Sequence, residues 1–279
     1  MIPIVDVSQH QGLIDWTRVK GSIQSAVIRM GYRGYHSGAI AIDPRYRYNR
    51  QQAAKAGIPY SLYFFPCSIN DAEALEEAEL IIKECKGMTF PLPIFLDSEV
   101  AEAAGRGRAD RLDPVTRTHL LKVTIDKCQA AGIPMGVYAS TYWLNNNLNM
   151  NELPYSVWCA QYASRCRYTG SYMLWQYTSS GQIPGISGGV DLSEPHSIIK
   201  QTPASTVNPY GKPSTTIRLG QKGYAVKWLQ WELVHKGYQI MVDGIFGHAT
   251  LSAVKTFQSS AGLQADGIVG KLTRGALTT

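Results

Sequence analysis

Ala56-Gly-Ile-Pro-Tyr60 recurs as Ala131-Gly-Ile-Pro-Met135, and this repeat decides the reading of the first 200 residues. Each copy follows a helical stretch and opens an apolar, β-branched run. Glycine supplies the left-handed helix cap, and proline, which lacks an N–H, starts the strand. Working outward, strands are expected at Ile2–Val7, Ala26–Gly31, Tyr60–Phe65, Ile94–Asp97, Met135–Ala139, Val157–Gln161, Met173–Tyr177 and Gly189–Leu192. Helices are expected at Asp15–Lys20, Pro44–Ala56, Asp71–Cys85 and Pro114–Ala131. Asp43-Pro44 and Asp113-Pro114 read as an N-cap followed by a first-turn proline. Apolar runs joined by crossover helices imply an α/β fold with a parallel sheet. A regular barrel takes roughly 250 residues, and the last three strands leave no room for helices between them. A short, irregular (β/α) barrel over residues 1–200 is therefore expected.

Residues 201–216 are rich in Pro, Ser and Thr without apolar period, the composition of an extended linker. Beyond them, residues 217–279 hold a second repeat. Asp243-Gly-Ile-Phe-Gly-His-Ala-Thr250 returns as Asp266-Gly-Ile-Val-Gly-Lys-Leu-Thr273. Each copy reads as a turn with glycine at positive φ, followed by a helix started by threonine. With helical patterns at Ala225–Lys236 and Thr250–Ala261, this is a small all-α, three-helix domain. Trp228 and Trp231 share a helix flank, so at least one belongs to its core.

Hydrophobic residues make up 44% of the chain and charged residues 17%, which excludes a disordered tail, a collagen and a coiled coil. No apolar run reaches the ~18 residues of a membrane span. The N-terminus shows no basic region and no cleavage site, so no signal peptide is expected. That leaves a cytoplasmic chain released by lysis, another export route, or a leader outside this sequence. The net charge is +6, concentrated late: eight basic and three acidic residues follow Ser205. Such a module suits an anionic partner as well as a solvated face. Five cysteines without a C-x-x-C pair fit neither a disulfide framework nor a zinc site, so buried thiols are expected, with room for one bridge.

Four carboxylates fall at the C-terminal ends of expected strands: Asp6, Asp97, Glu99 and Asp191. Catalytic residues of parallel barrels gather at that end. In Ile94-Phe-Leu-Asp-Ser-Glu99, strand alternation points Asp97 and Glu99 the same way, about 6–7 Å apart. Neighbouring carboxylates raise each other's pKa, which makes one a general acid near neutral pH. Taken alone, D-x-E also fits a surface pair. Asp15 reads as an N-cap, but Asp6 is an acid inside an apolar strand and needs another account. Tyr63, Phe65, Tyr138, Trp158, Tyr162 and Trp175 lie near the same strand ends, where rings stack on sugars or fill a barrel core. Arg33 is read as either a contact to a substrate carboxylate or a solvated charge. His10 is read as structural, with no metal-ligand spacing around it.

Asp6-Val-Ser-x-x-Gln-Gly-x-Ile-Asp-Trp16, Phe95-Leu-Asp-Ser-Glu99, Trp158-Cys-Ala-Gln-Tyr162, Leu174-Trp-Gln-Tyr177 and Gly188-Gly-Val-Asp-Leu-Ser193 together resemble glycoside hydrolase family 25, the Chalaropsis-type muramidases, over about residues 1–198. The resemblance implies cleavage of the β-1,4 bond between N-acetylmuramic acid and N-acetylglucosamine in peptidoglycan, as in phage endolysins. It implies Glu99 as general acid, Asp97 as its partner, and Asp6 and Asp191 as flanking acids. Substrate contacts are expected from Tyr63, Phe65, Tyr138, Gln161, Tyr162 and Trp175, of which Tyr63 and Tyr138 match family positions, and no cofactor or metal is expected. A carboxylate nucleophile and the substrate's own N-acetyl group both fit this pattern. From Ile217 on, the chain resembles the type 1 peptidoglycan-binding module. That adds the bacterial wall as the expected partner, with anionic wall polymers as a further one for the basic C-terminus. Three other readings stay open at this point: a silent glycan-binding protein, a glycosidase of chitin or another N-acetylated glycan, and a nucleic-acid binder. No nucleic-acid motif accompanies the charge. The sequence sets no oligomeric state.

Overall fold

The computed structural model describes residues 2–102, 105–196, 208–236, 238, 240, 242 and 244–278. The chain divides into two compact units, Met1–Pro195 and His196–Thr279.

The first unit contains β1 (Ile4–Val7), α1 (Trp16–Val19), β2 (Ser25–Arg33), β3 (Ile40–Ile42), α2 (Tyr46–Ala56), β4 (Tyr60–Phe65), α3 (Asp71–Cys85), β5 (Ile94–Asp97), α4 (Pro114–Ala130), β6 (Met135–Ser140), α5 (Thr141–Asn146), β7 (Ser156–Ala160), β8 (Leu174–Gly181) and β9 (Val190–Pro195). The strands run in the order β1-β9-β8-β7-β6-β5-β4-β2-β3, and pairing of β1 with β2 closes eight of them into a barrel. Apart from β3, neighbours from β1 through β8 are parallel, while β9 enters antiparallel to both β8 and β1. This is the irregular α/β barrel expected, with strands and loops making up its last part. Strand β3, the apolar Ile40-Ala-Ile42, is a short antiparallel addition to β2 and is not among the expected strands, because three residues are too few to show a period.

The Gly-x-Pro breaks work as expected. Gly57 (φ +71°) closes α2 and Gly132 (φ +84°) follows α4. The carbonyls of Pro59 and Pro134 then accept from Ala26 and Ile94 of neighbouring strands. Helix α4 starts on Pro114, with Asp113 accepting from the amides of Val115 and Thr116. The parallel expectation for Asp43-Pro44 is corrected: α2 starts at Tyr46, without a side-chain cap. Asp43 accepts instead from Arg29 Nε at 2.7 Å, the Gln9 amide at 3.0 Å and the Arg45 amide at 2.8 Å. A part-buried cation, the Gln9 amide and the amide of the N-cap residue Arg45 hold that carboxylate, in place of the first-turn amides of α2.

Strand alternation sorts two layers. Val5, Val7, Ile28, Met30, Leu62, Phe64, Ile94, Leu96, Val137 and Val157 belong to the core shared with the helices. The opposite parity fills the barrel. Trp158 is fully buried there, with the rings of Tyr138, Phe95 and Tyr63 at 4.6, 5.4 and 6.4 Å.

The second unit contains α6 (Tyr224–His235), α7 (His248–Ser260) and α8 (Lys271–Leu277). Its repeat is structural. Gln230 Oε1 accepts from the Gly244 amide, while its Nε2 donates to Ile245 O and Thr250 Oγ1. Gln258 does the same with the Gly267 amide, Ile268 O and Thr273 Oγ1. Gly244 and Gly267 take φ of +81° and +76°, as the turns require. The expected threonine starts are corrected: α7 and α8 begin two residues earlier, capped by Gly247 and Gly270. The threonine hydroxyls serve the glutamines instead. Asp243 lies outside the described residues. Trp228 and Trp231 are both buried.

The expected linker is corrected in part. Within 208–216, Asn208 donates to Trp228 O and Glu232, and Arg274 donates to the carbonyls of Ser214 and Thr215. These residues are bonded to the helical unit. Residues 201–207 lie outside the described residues. Among the described residues no helix is long and apolar enough to cross a membrane.

Candidate active site

The carboxyl ends of the parallel strands surround a cleft of about 550 Å³. Asp6 reaches it from β1, Asp97 from the end of β5, Glu99 from two residues beyond, and Asp191 from β9. Asp6 and Asp191 are direct partners across the β1–β9 ladder. Tyr63, Phe65, Tyr138, Trp158, Tyr162, Gln9, His10, Arg29, Tyr32 and Gln176 also line it.

Four acids share this space, and burial acts on each. Asp6 is 7% exposed and Asp97 8%. Burial first, then the charge of Asp191, holds the Asp6 carboxyl well above the usual range. Burial and then Glu99 and Asp6 do the same to Asp97, with Arg29 opposing. Asp6 and Asp191 share a hydrogen bond, and burial raises the Asp191 carboxyl too, with that bond opposing. Glu99 differs, because its side chain reaches solvent in the cleft. The cleft walls still strip enough water from it, with Asp191 adding repulsion, to push its carboxyl up to about 7.

Gln176 organises one side of the site. Its Nε2 donates to Asp6 Oδ2 at 2.9 Å. Its Oε1 accepts from the hydroxyls of Tyr138 at 2.9 Å and Tyr162 at 3.0 Å. Sequence reasoning passes over this residue, although it sits inside the quoted Leu174-Trp-Gln-Tyr177. The signal is its parity: a glutamine between two aromatic residues of a strand faces the barrel that they turn away from. Asp97 Oδ1 is buried with no hydrogen-bond partner. That oxygen therefore keeps hydrogen-bonding capacity that the protein itself does not use.

Two expected contacts are corrected. Trp175 and Gln161 are not among the cleft-lining residues. Trp175 packs on the outer core beside Tyr177, and its indole donates to Gln161 O at 2.8 Å. Gln161 Oε1 accepts from the Arg167 amide. Alternation along β8 turns Trp175 outward because Gln176 faces in. Arg33 lines the cleft, as a substrate contact requires, and is not the solvated charge that was the other expectation. It is 3% exposed and donates to Glu77, Glu76, Glu73 O and Gly38 O. Trp158 lines the cleft floor, yet its indole N–H is bound to Ser193 Oγ. Tyr63 and Tyr138 line the cleft while nearly buried, so each presents an edge rather than an open face.

A family model described as glycosyl hydrolases family 25 matches residues 5–186. One described as a putative peptidoglycan binding domain matches residues 222–277. The chain is 28% identical over 273 residues to the autolytic lysozyme of Clostridium acetobutylicum, covering 98% of this chain and 77% of that protein. Over 63 residues it is 46% identical to the zinc D-Ala-D-Ala carboxypeptidase of Streptomyces albus G, covering 22% of this chain and 25% of that one. Among solved structures it is similar to the modular autolysin LytC of Streptococcus pneumoniae in complex with a synthetic peptidoglycan ligand. That match has a TM-score of 0.60 and 28% identity, and it covers 68% of this chain and 46% of the autolysin.

Proposed function

The chain belongs to glycosyl hydrolase family 25 and is a glycoside hydrolase of the lysozyme kind, and from that premise we propose how its carboxylates divide the work. The bond cleaved is the β-1,4 bond between N-acetylmuramic acid and N-acetylglucosamine in peptidoglycan. The observation that carries the reading is Glu99, a solvent-reaching carboxyl raised to about 7 among three other acids. Such a group holds a proton at neutral pH and delivers it to the leaving glycosidic oxygen. Asp97 presents its unpartnered Oδ1 to the N–H of the 2-acetamido group. That contact turns the acetamido oxygen toward the anomeric carbon, where it forms a bond as the glycosidic bond breaks. Water, deprotonated by the now ionised Glu99, then opens the cyclic intermediate and restores the acid. Asp191, hydrogen-bonded to Asp6, faces the positive charge that builds on the sugar. Asp6, Gln176 and Tyr138 are positioning residues for it. Tyr63, Phe65 and Tyr162 form the ring-bearing walls that hold the glycan.

In the same reading the second unit is a wall anchor, working at the bacterial cell wall, and its basic residues add attraction to anionic wall polymers. Tethering keeps the cleft at high effective concentration near its substrate. The experiment is mass spectrometry of digested wall sacculi. Muramic acid at the new reducing ends is expected; new N-acetylglucosamine ends overturn the bond assignment. A chain ending at residue 200 should digest soluble glycan chains normally and intact walls slowly. Equal rates on walls with and without residues 217–279 overturn the anchor.

A further inference from the structure

Two of the five thiols meet. Cys159, on β7, is fully buried and shares the outer core with Val157, on the opposite parity from Trp158. Cys166, in the 161–173 segment between β7 and β8, is half-buried against the same core. Their sulfurs are 3.6 Å apart. A disulfide needs about 2.05 Å, so the two sulfurs are in contact and must approach further for the bond to close. The same segment carries Tyr162, whose hydroxyl bonds Gln176 on the cleft side. Its start is already tied down, with Gln161 O accepting from Trp175 and Gln161 Oε1 from the Arg167 amide. From Tyr162 to Ser171 the chain is otherwise largely solvent-facing, with Arg165 and Arg167 exposed.

We infer that Cys159 and Cys166 are a disulfide-forming site, and that the bond fastens the segment bearing Tyr162 to the outer wall of the barrel. The bond lies behind the cleft, so oxidation adds no group to the site itself. A low-molecular-weight disulfide is the oxidant. Cys166, the half-buried thiol, displaces one thiol from it and forms a mixed disulfide. Cys159 then attacks the Cys166 sulfur, releasing the second thiol. The two cysteines lose two protons and two electrons, and the oxidant becomes two thiols. Burial raises the Cys159 thiol, with Cys166 adding to it, so the second step is the slow one and speeds up with pH. A reducing cytosol keeps the pair open, whereas an oxidising exterior closes it. That placement at the wall rests on the proposed function; the chemistry of the pair does not.

The test uses the full chain equilibrated with oxidised or reduced glutathione. The oxidised sample should lose two hydrogens by intact mass, and peptide mapping should join the peptides holding Cys159 and Cys166. Native trypsin cleavage after Arg165 and Arg167 should then be about ten-fold slower than in the reduced sample, because opening of the segment is restrained. Cys166→Ser and, independently, Cys159→Ala should remove both the cross-link and the difference in cleavage. If both thiols of the oxidised wild type still alkylate after unfolding, the site is overturned. If the cross-link forms and cleavage is unchanged, the fastening is overturned.

Discussion

Two clusters of buried charge lie within the same barrel unit, and they are built on opposite terms. Around Arg33, one guanidinium meets Glu77 at 2.9 Å, Glu76 at 3.0 Å and two backbone carbonyls. Glu77 Oε1 also accepts from the Cys67 amide, and Arg108 grips Glu73 with both terminal nitrogens. Around Asp97, four acids face one another, and the nearby cation, Arg29, gives its Nε to Asp43. The first cluster neutralises its charge and ties β2 to α3. The second leaves proton affinity in excess, although each cluster keeps one buried carboxyl oxygen without a partner, Glu77 Oε2 and Asp97 Oδ1. Burial alone therefore does not mark a site, since Glu77 and Glu99 are both pushed to about 7 by it. What separates them is access: Glu99 reaches solvent, while Glu77 is sealed beneath an arginine.

The sharpest way to break this contrast is Glu99→Gln. It should lower turnover about 10²–10⁴-fold with the fold intact, as loss of general acid catalysis does. Retention of more than about a tenth of wild-type kcat, with unchanged circular dichroism, removes Glu99 from the role. In the wild type the acid must be protonated, so kcat should fall as pH rises through about 7. A rate that climbs through that range contradicts the assignment.

Arg33→Met attacks the other cluster. It strands Glu77 in the core and should cost about 3–5 kcal/mol in urea unfolding. Replacing both partners, Arg33→Met with Glu77→Met, should recover much of that loss, because no buried charge is left alone. A single variant as stable as wild type would mean the pair is not holding the helix.

Gln176→Leu probes the support rather than the chemistry. It breaks the bonds to Asp6, Tyr138 and Tyr162, and should lower kcat by about ten-fold, with a smaller change in KM. A loss confined to KM would make Gln176 a substrate contact instead.

The smallest effect is thermal. A carboxyl raised in the folded state binds its proton more tightly there than in the unfolded chain. Its stabilising share is present at acid pH and is lost as pH rises from the ordinary carboxylate range through about 7. Glu99→Gln should therefore melt higher than wild type at pH 8 and no higher at pH 4. The gain is modest, because solvent in the cleft screens Glu99. An equal gain at both pH values would point to packing rather than charge.

The barrel is largely readable along the chain because its determinants are local. Gly57, Gly132, Pro59 and Pro134 fix breaks through their own backbone chemistry, and strand parity follows from a period of two. Asp6 and Asp97 are readable for the same reason, since they interrupt apolar strands near their carboxyl ends; Asp191 is corrected, standing second in the antiparallel β9 rather than at a strand's carboxyl end. Trp175 and Gln161 mislead because a motif records neighbours in sequence, whereas one step along β8 exchanges cleft for core.

By itself, the sequence determined the βα order, the second unit's repeat and the presence of four acids at strand ends. Each depends on a residue's own torsions or on the few residues beside it. The tertiary structure alone decided that burial raises these acids, that Asp43 serves Arg29 rather than α2, and that Gln176 links Asp6 to two tyrosines. It also decided that Arg33 is neutralised while Glu99 is exposed. Those outcomes turn on burial and on partners 14 to 170 residues away along the chain, and charge in a low-dielectric interior is governed by the nearest atoms in space.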